Sequence, residues 1–248
     1  MSYAIVQASL EPVSADALRQ SFAMVPELTG ADAALLARDA FGILVENLSD
    51  QAARSIQRGL AAQDVATEIV PTEDLPALPP TKALRRADCL PNSFVVYDAL
   101  NRPTLLPWNG VALIAAGMVS RIQARRIRTE TTIHFHGRMP MVIPEFRDRE
   151  YEAANMSLEI LALDGPTRYH VQPDRFQYGY LGDRLQRTAA RNFVLLVRDL
   201  MAMAPHASAN RGAVLMQRDP PESFAYPSRH AFEEETIWIL WKAQRAAG

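Results

Sequence analysis

Residues 29–50, TGADAALLARDAFGILVENLSD, set a helix, a strand and the start of a second helix in direct succession. Thr29 and Asp32 have the spacing of a capping box, with Asp in the place usually held by Glu, ahead of Ala33-Ala34-Leu35-Leu36. Phe41, Ile43 and Val45 alternate as in a strand, and Ser49 can cap a helix whose Ala53, Ile56 and Leu60 form an apolar stripe. Upstream, strand-like Tyr3–Leu10 leads into helix-like Ser14–Val25, where Ala15, Leu18, Phe22 and Val25 share one face. Downstream, helix-like Asp50–Gln63 is followed by Val65–Val70, in which Val65, Thr67 and Ile69 alternate. Residues 1–71 therefore read as a β-α-α-β-α-β module, a three-stranded sheet with helices on one face.

This element order, with Thr29-Gly30 opening the second helix, resembles the C-terminal domain of the bacterial ribosomal stalk protein and the similar fold of the Clp protease adaptor. The resemblance covers about residues 3–71 and implies a ferredoxin-like docking module. In the stalk family the second helix continues with glycine and lysine residues that dock translation factors. Here it continues Ala31-Asp32-Ala33-Ala34-Leu35-Leu36-Ala37-Arg38, without lysine, and residues 1–73 hold 4 Arg against 10 Asp plus Glu, a net −6. The resemblance thus implies the fold but not the factor-docking function, and the module reads as a small scaffold or protein-docking unit of unknown partner.

The chain has 248 residues, 48% apolar and 22% charged, enough for two ordinary domains with their own cores. A net charge of −2 gives no global attraction to nucleic acid or an anionic membrane. A single cysteine, Cys89, excludes an intrachain disulfide and a thiolate cluster. Met1–Leu10 lacks the pattern of a signal peptide, and the longest uncharged apolar run, Val111–Val119, is far short of a spanning helix, so a cytoplasmic location without a membrane span is expected.

Pro71, Pro76, Pro79, Pro80 and Pro91 make residues 72–92 read as a semi-rigid linker. Beyond it the pattern turns to strands: Ser93–Asp98, Thr104–Trp108, Val111–Ser120, Thr131–His136, Ser157–Leu163 and Thr167–Gln172. Asn109-Gly110 between two of them predicts a hairpin. A helix over about 189–203 carries Phe193, Leu196, Val197, Leu200 and Met201 on one face. Antiparallel strands closed by one amphipathic helix over residues 93–204 resemble the pleckstrin-homology-like barrel. Residues 205–248 form an extension ending in a helix from about 229, with Glu233, Glu234 and Glu235 early and Lys242 and Arg245 late, as the helix dipole favours. The expected fold class is α+β, in two domains.

No phosphate loop, no Gly-x-Gly-x-x-Gly, no Gly-x-Ser-x-Gly and no His-Glu-x-x-His occurs. Arg121, Arg125, Arg126 and Arg128 are the densest basic cluster, and with Lys82, Arg85, Arg86 and Arg102 they suit either an anion or the acidic module across the linker. His134 and His136, two apart in a strand, share a face as metal ligands do; a third ligand would come from Glu130, Glu145, His170, His206 or His230. Glu145–Glu152 mixes both charge signs and reads as a solvated loop. Trp238 and Trp241 give the last helix an apolar face that packs on its own domain or on a partner, a second copy included. The leading expectation is a non-enzymatic, cofactor-free docking or scaffolding protein with no specific nucleic-acid partner. An anion-binding barrel using the arginines and a metal enzyme built on the two histidines are the alternatives.

Overall fold

The computed structural model describes residues 1–26, 28–133, 141–162 and 167–247, with side chains left aside at 121–133, 141–153 and 247. The fold is α+β. Its first lobe contains β1 (Tyr3–Gln7), α1 (Ala15–Phe22), α2 (Gly30–Asp39), β2 (Ile43–Leu48), α3 (Asp50–Ala61) and β3 (Thr67–Pro71). The caps form as their residue types require. Ser14, Thr29 and Ser49 accept from the amides of Ala17, Asp32 and Ala52, and Asp32 accepts in return from the Thr29 amide. The sheet runs β2-β1-β3, with β1 antiparallel to both neighbours.

Helices cover one face of that sheet, where Ile5, Leu44 and Val45 meet Leu18, Phe22, Ile56 and Leu60. The opposite face is also covered. Ala4, Val6, Ile43 and Val70 pack against Trp241, with Ile237 and Trp238 alongside, all three from the last helix of the chain. Gly42, at φ +81°, is a point of close approach: a Cβ there would sit 2.9 Å from Trp238 Cβ. Only glycine takes that backbone conformation and that gap without strain.

The second lobe holds β4 (Thr81–Ala83), β5 (Ala87–Leu90), β6 (Ser93–Tyr97), β7 (Pro103–Pro107), β8 (Val111–Ile133), β9 (Met141–Ala162) and β10 (Thr167–Val171). It continues with α4 (Ala189–Met203), β11 (Ser208–Ala209), α5 (Arg211–Met216), β12 (Ala225–Tyr226) and α6 (Arg229–Ala247). The stretch expected as a linker contributes β4, parallel to β10, and β5, which opens a β5-β6-β7 meander. The main sheet runs β11-β8-β9-β10-β4, with β12 also on β8.

The Asn109-Gly110 hairpin does not form. Trp108–Gly110 is a single 3-10 turn that carries the chain out of the meander into the main sheet. Trp108 is buried there against Phe94 and donates its indole N–H to the Leu90 carbonyl at 2.8 Å, so burial of the indole directs the chain past the turn. One face of the main sheet (Ile114, Ala116, Leu158, Ile160) packs on Phe193, Leu196, Val197 and Leu200 of α4 and on the meander. The other (Leu113, Ala115, Val119, Leu161) packs on Tyr226 and on Phe232 and Ile239 of α6. Helix α6 is therefore shared, with one flank on each lobe's sheet.

Strands β8 and β9 pair from Val111↔Ala162 to Ile133↔Met141. Glu145–Glu152, expected as a solvated loop, lies within β9. Its alternating signs mark a strand with differently charged faces. Beyond Ser120 and Ala154, among the described residues, no other strand flanks either edge.

Candidate functional site

Titratable groups converge between the main sheet and the start of α6. Alternation along β9 puts Leu158 and Ile160 in the α4 core and turns Ser157 and Glu159 toward α6. On β10, His170 stands directly opposite Glu159 and Arg168 opposite Leu161. Helix α6 adds Arg229 and Glu233, one turn apart.

These groups close a ring. Arg168 donates Nε–H to Glu159 at 2.5 Å and a terminal N–H to Glu233 at 2.6 Å. Arg229 donates to the other Glu159 oxygen and, at 3.0 Å, to Glu233. Each guanidinium bridges both carboxylates, and the four charges cancel. Glu159 is wholly buried. Burial opposes its ionisation, but His170, Arg229 and Arg168 outweigh this and hold the carboxyl below its ordinary range. Clefts of about 460 Å³ and 530 Å³ flank His170. The first is lined by Ser157, Asp174 and Arg175 among others; the second by Pro79, Pro80, Arg168 and Arg229.

Ser157, His170 and Glu159 have the composition of a nucleophilic relay but not its geometry. Ser157 Oγ lies 3.4 Å from His170 Nδ1, and Glu159 Oε1 lies 3.6 Å from the same nitrogen. A relay needs the acid on one ring nitrogen and the hydroxyl on the other. The Cys89 thiol is likewise quiet: burial first, then nearby Asp199, pushes it up to about 12.

A second set of contacts joins the lobes. Ser228 donates to Asp39 at 2.7 Å, and Trp238 donates to the Gln7 carbonyl at 2.8 Å. Glu68 takes Arg245 at 2.6 Å and Lys242 at 3.4 Å. Arg211 stacks between Phe41 (3.1 Å) and Phe224 (4.2 Å) while bonding buried Glu235. His230 is pushed up to about 8, chiefly by its hydrogen bond to Glu234 at 3.0 Å, against burial and with help from Glu46 and Asp39. The acidic module thus meets positive charge within the chain, supplied by α6 and Arg211.

The residues singled out from sequence fall in several places. Trp241 is buried and Trp238 half-buried at the contact between lobes, so both indoles are engaged within the chain. Arg121, Arg125, Arg126 and Arg128 lie on outer β8, where the backbone alone is described. Three of the cluster's earlier members have partners: Lys82 with Thr167, Arg86 over Tyr97 and Arg102 with Asp98. His134 and His136 lie outside the described residues. Of the third ligands considered for them, His170 faces Glu159 and His230 bonds Glu234. Among the described residues no group of three or more His, Cys, Asp or Glu side chains is placed to hold a metal ion.

The Glu159–Arg168–Arg229–Glu233 ring is scarcely marked in the sequence. Its faint signals are one acid inside the apolar run Leu158–Leu161 and an Arg–Glu pair one turn apart on α6. A scan against protein-family models finds no match, and searches of curated proteins and of solved structures find none either.

Proposed function

We propose that the chain is a non-enzymatic docking protein. In this reading the two lobes form a base clasped by α6, and outer β8–β9 is the element that meets the partner. The observation that carries it is the closed ring of Glu159, Arg168, Arg229 and Glu233, in which each carboxylate is held by two guanidiniums, beside a Ser157–His170–Glu159 set without the geometry of a relay. Buried pairs of this kind hold elements in one arrangement more than they add net stability.

The test compares what the full chain retains with what a shortened variant retains. Replacing residues 121–153 by Asn-Gly joins Ser120 to Ala154, a registered pair, through a two-residue hairpin turn. Loss of the retained ligand with unfolding temperature unchanged within a few degrees is expected. Equal retention by both forms contradicts the reading. A fluorophosphonate label on Ser157, lost in Ser157→Ala, would contradict the non-enzymatic part.

A further inference from the structure

Outer β8 and outer β9 form a two-stranded arm of thirteen registered pairs, from Arg121↔Ala153 to Ile133↔Met141. At roughly 3.3 Å per residue this is a ribbon about 43 Å long. Neighbours across the ribbon share a face, so even-numbered positions fall on one face and odd-numbered positions on the other.

The two faces differ in kind. On the even face Arg126 is registered with Asp148, and Arg128, Glu150, Glu152 and Glu130 lie nearby, a mixed set of opposite signs. On the odd face Arg125 is registered directly opposite Arg149, with Arg147 opposite Ile127 and Arg121 opposite Ala153. Between Arg121 and Arg149 the odd positions carry four Arg and one acid, Glu145, which sits nearest the far end. Like charges set directly across a strand pair destabilise it, and a two-stranded ribbon without flanking strands is marginal to begin with. An anion placed between the arginines removes the repulsion. Arginine at all four positions suits the two-pronged recognition of phosphate.

We infer that the odd face of the arm binds the phosphate backbone of double-stranded DNA without regard to sequence. A two-stranded ribbon fits a major groove about 12 Å wide, and the acids at even positions fall on the opposite face of the ribbon. The inference rests on the arm being the contact element and names its partner.

Fluorescence anisotropy of the full chain with a random 30-base-pair DNA duplex tests it. Four phosphate contacts predict a log–log salt slope of about −3.6, roughly a hundredfold loss of affinity between 50 and 200 mM salt. The double variant Arg125→Gln, Arg149→Gln should bind at least tenfold more weakly, with the slope near −1.8. The control Arg126→Gln, Arg128→Gln loses the same charge from the other face and should change affinity less than threefold. Equal effects of the two doubles, no duplex binding at 50 mM salt, or binding to phosphatidylserine vesicles but not to duplex would each overturn the inference. Arm-dependent retention of a protein with no duplex binding would overturn it while leaving the docking reading standing. Arm-independent duplex binding would sink both.

Discussion

One pair of strands behaves in two ways along its length. Inner β8 (111–120) lies in a sheet with β11, β12 and β9, and inner β9 (154–162) is flanked by β10. Residues 111–116 and 157–162 are largely buried on both faces, one under α4 and one under α6, in a mostly apolar stretch broken by Ser157 and Glu159. Outer β8 and β9 keep the same register, have no flanking strand among the described residues, and set arginine against arginine. Burial accounts for the inner part. Among the described residues no flanking strand extends that support to the outer part, and the proposed contact role rests on this contrast.

The largest expected effect lies in the inner part. Glu159→Leu leaves buried Arg168 and partly buried Arg229 without their shared carboxylate, and should cost about 3–5 kcal/mol in denaturant unfolding. A cost under about 1 kcal/mol would mean the ring is solvated. Trp241→Ala opens a cavity between α6 and the first sheet and should cost a similar 3–5 kcal/mol. Gly42→Ala forces a Cβ onto Trp238 from a left-handed backbone, for about 1–3 kcal/mol. If it costs nothing, the lobes do not meet there.

Stability should also depend on pH at the contact between lobes. His230 is raised in the folded state from its ordinary 6.5 to about 8. Its contribution is then fully present below about pH 6.5 and is lost as pH rises through about 8. His230→Gln should flatten that alkaline decline. Glu159 acts in the opposite sense: its carboxyl is held low, so its share is present above the ordinary carboxylate range and is lost on acidification. The smallest effect belongs to the arm. Replacing 121–153 by Asn-Gly should leave the unfolding of the base nearly unchanged, while Arg149→Glu should firm the free ribbon and abolish duplex binding.

The first lobe was legible because its signals are local: the caps Ser14, Thr29 and Ser49, and apolar stripes at helical spacing. The second covered face of its sheet was not read, although Ala4-Ile5-Val6 and Ile43-Leu44-Val45 are unbroken apolar runs, as strands buried on both sides require. The helix that covers it arrives about 190 residues later, which no local pattern reveals. The Glu159 ring has the same origin, since β9, β10 and α6 are distant in the chain. The arginines at 121–128 form a visible cluster in the sequence, whereas Arg147 and Arg149 sit in a mixed-charge stretch with the look of a solvated loop. Only the register places Arg149 beside Arg125.

Hydrogen exchange along β8 and β9, with and without a 30-base-pair DNA duplex, tests the contrast most directly. Amides at 111–119 and 157–162 should exchange only with global unfolding, while those at 121–133 and 141–153 exchange far faster in the free protein and slow markedly when duplex is added. Uniform protection along both strands in the free protein, or an outer segment indifferent to duplex, would contradict the account.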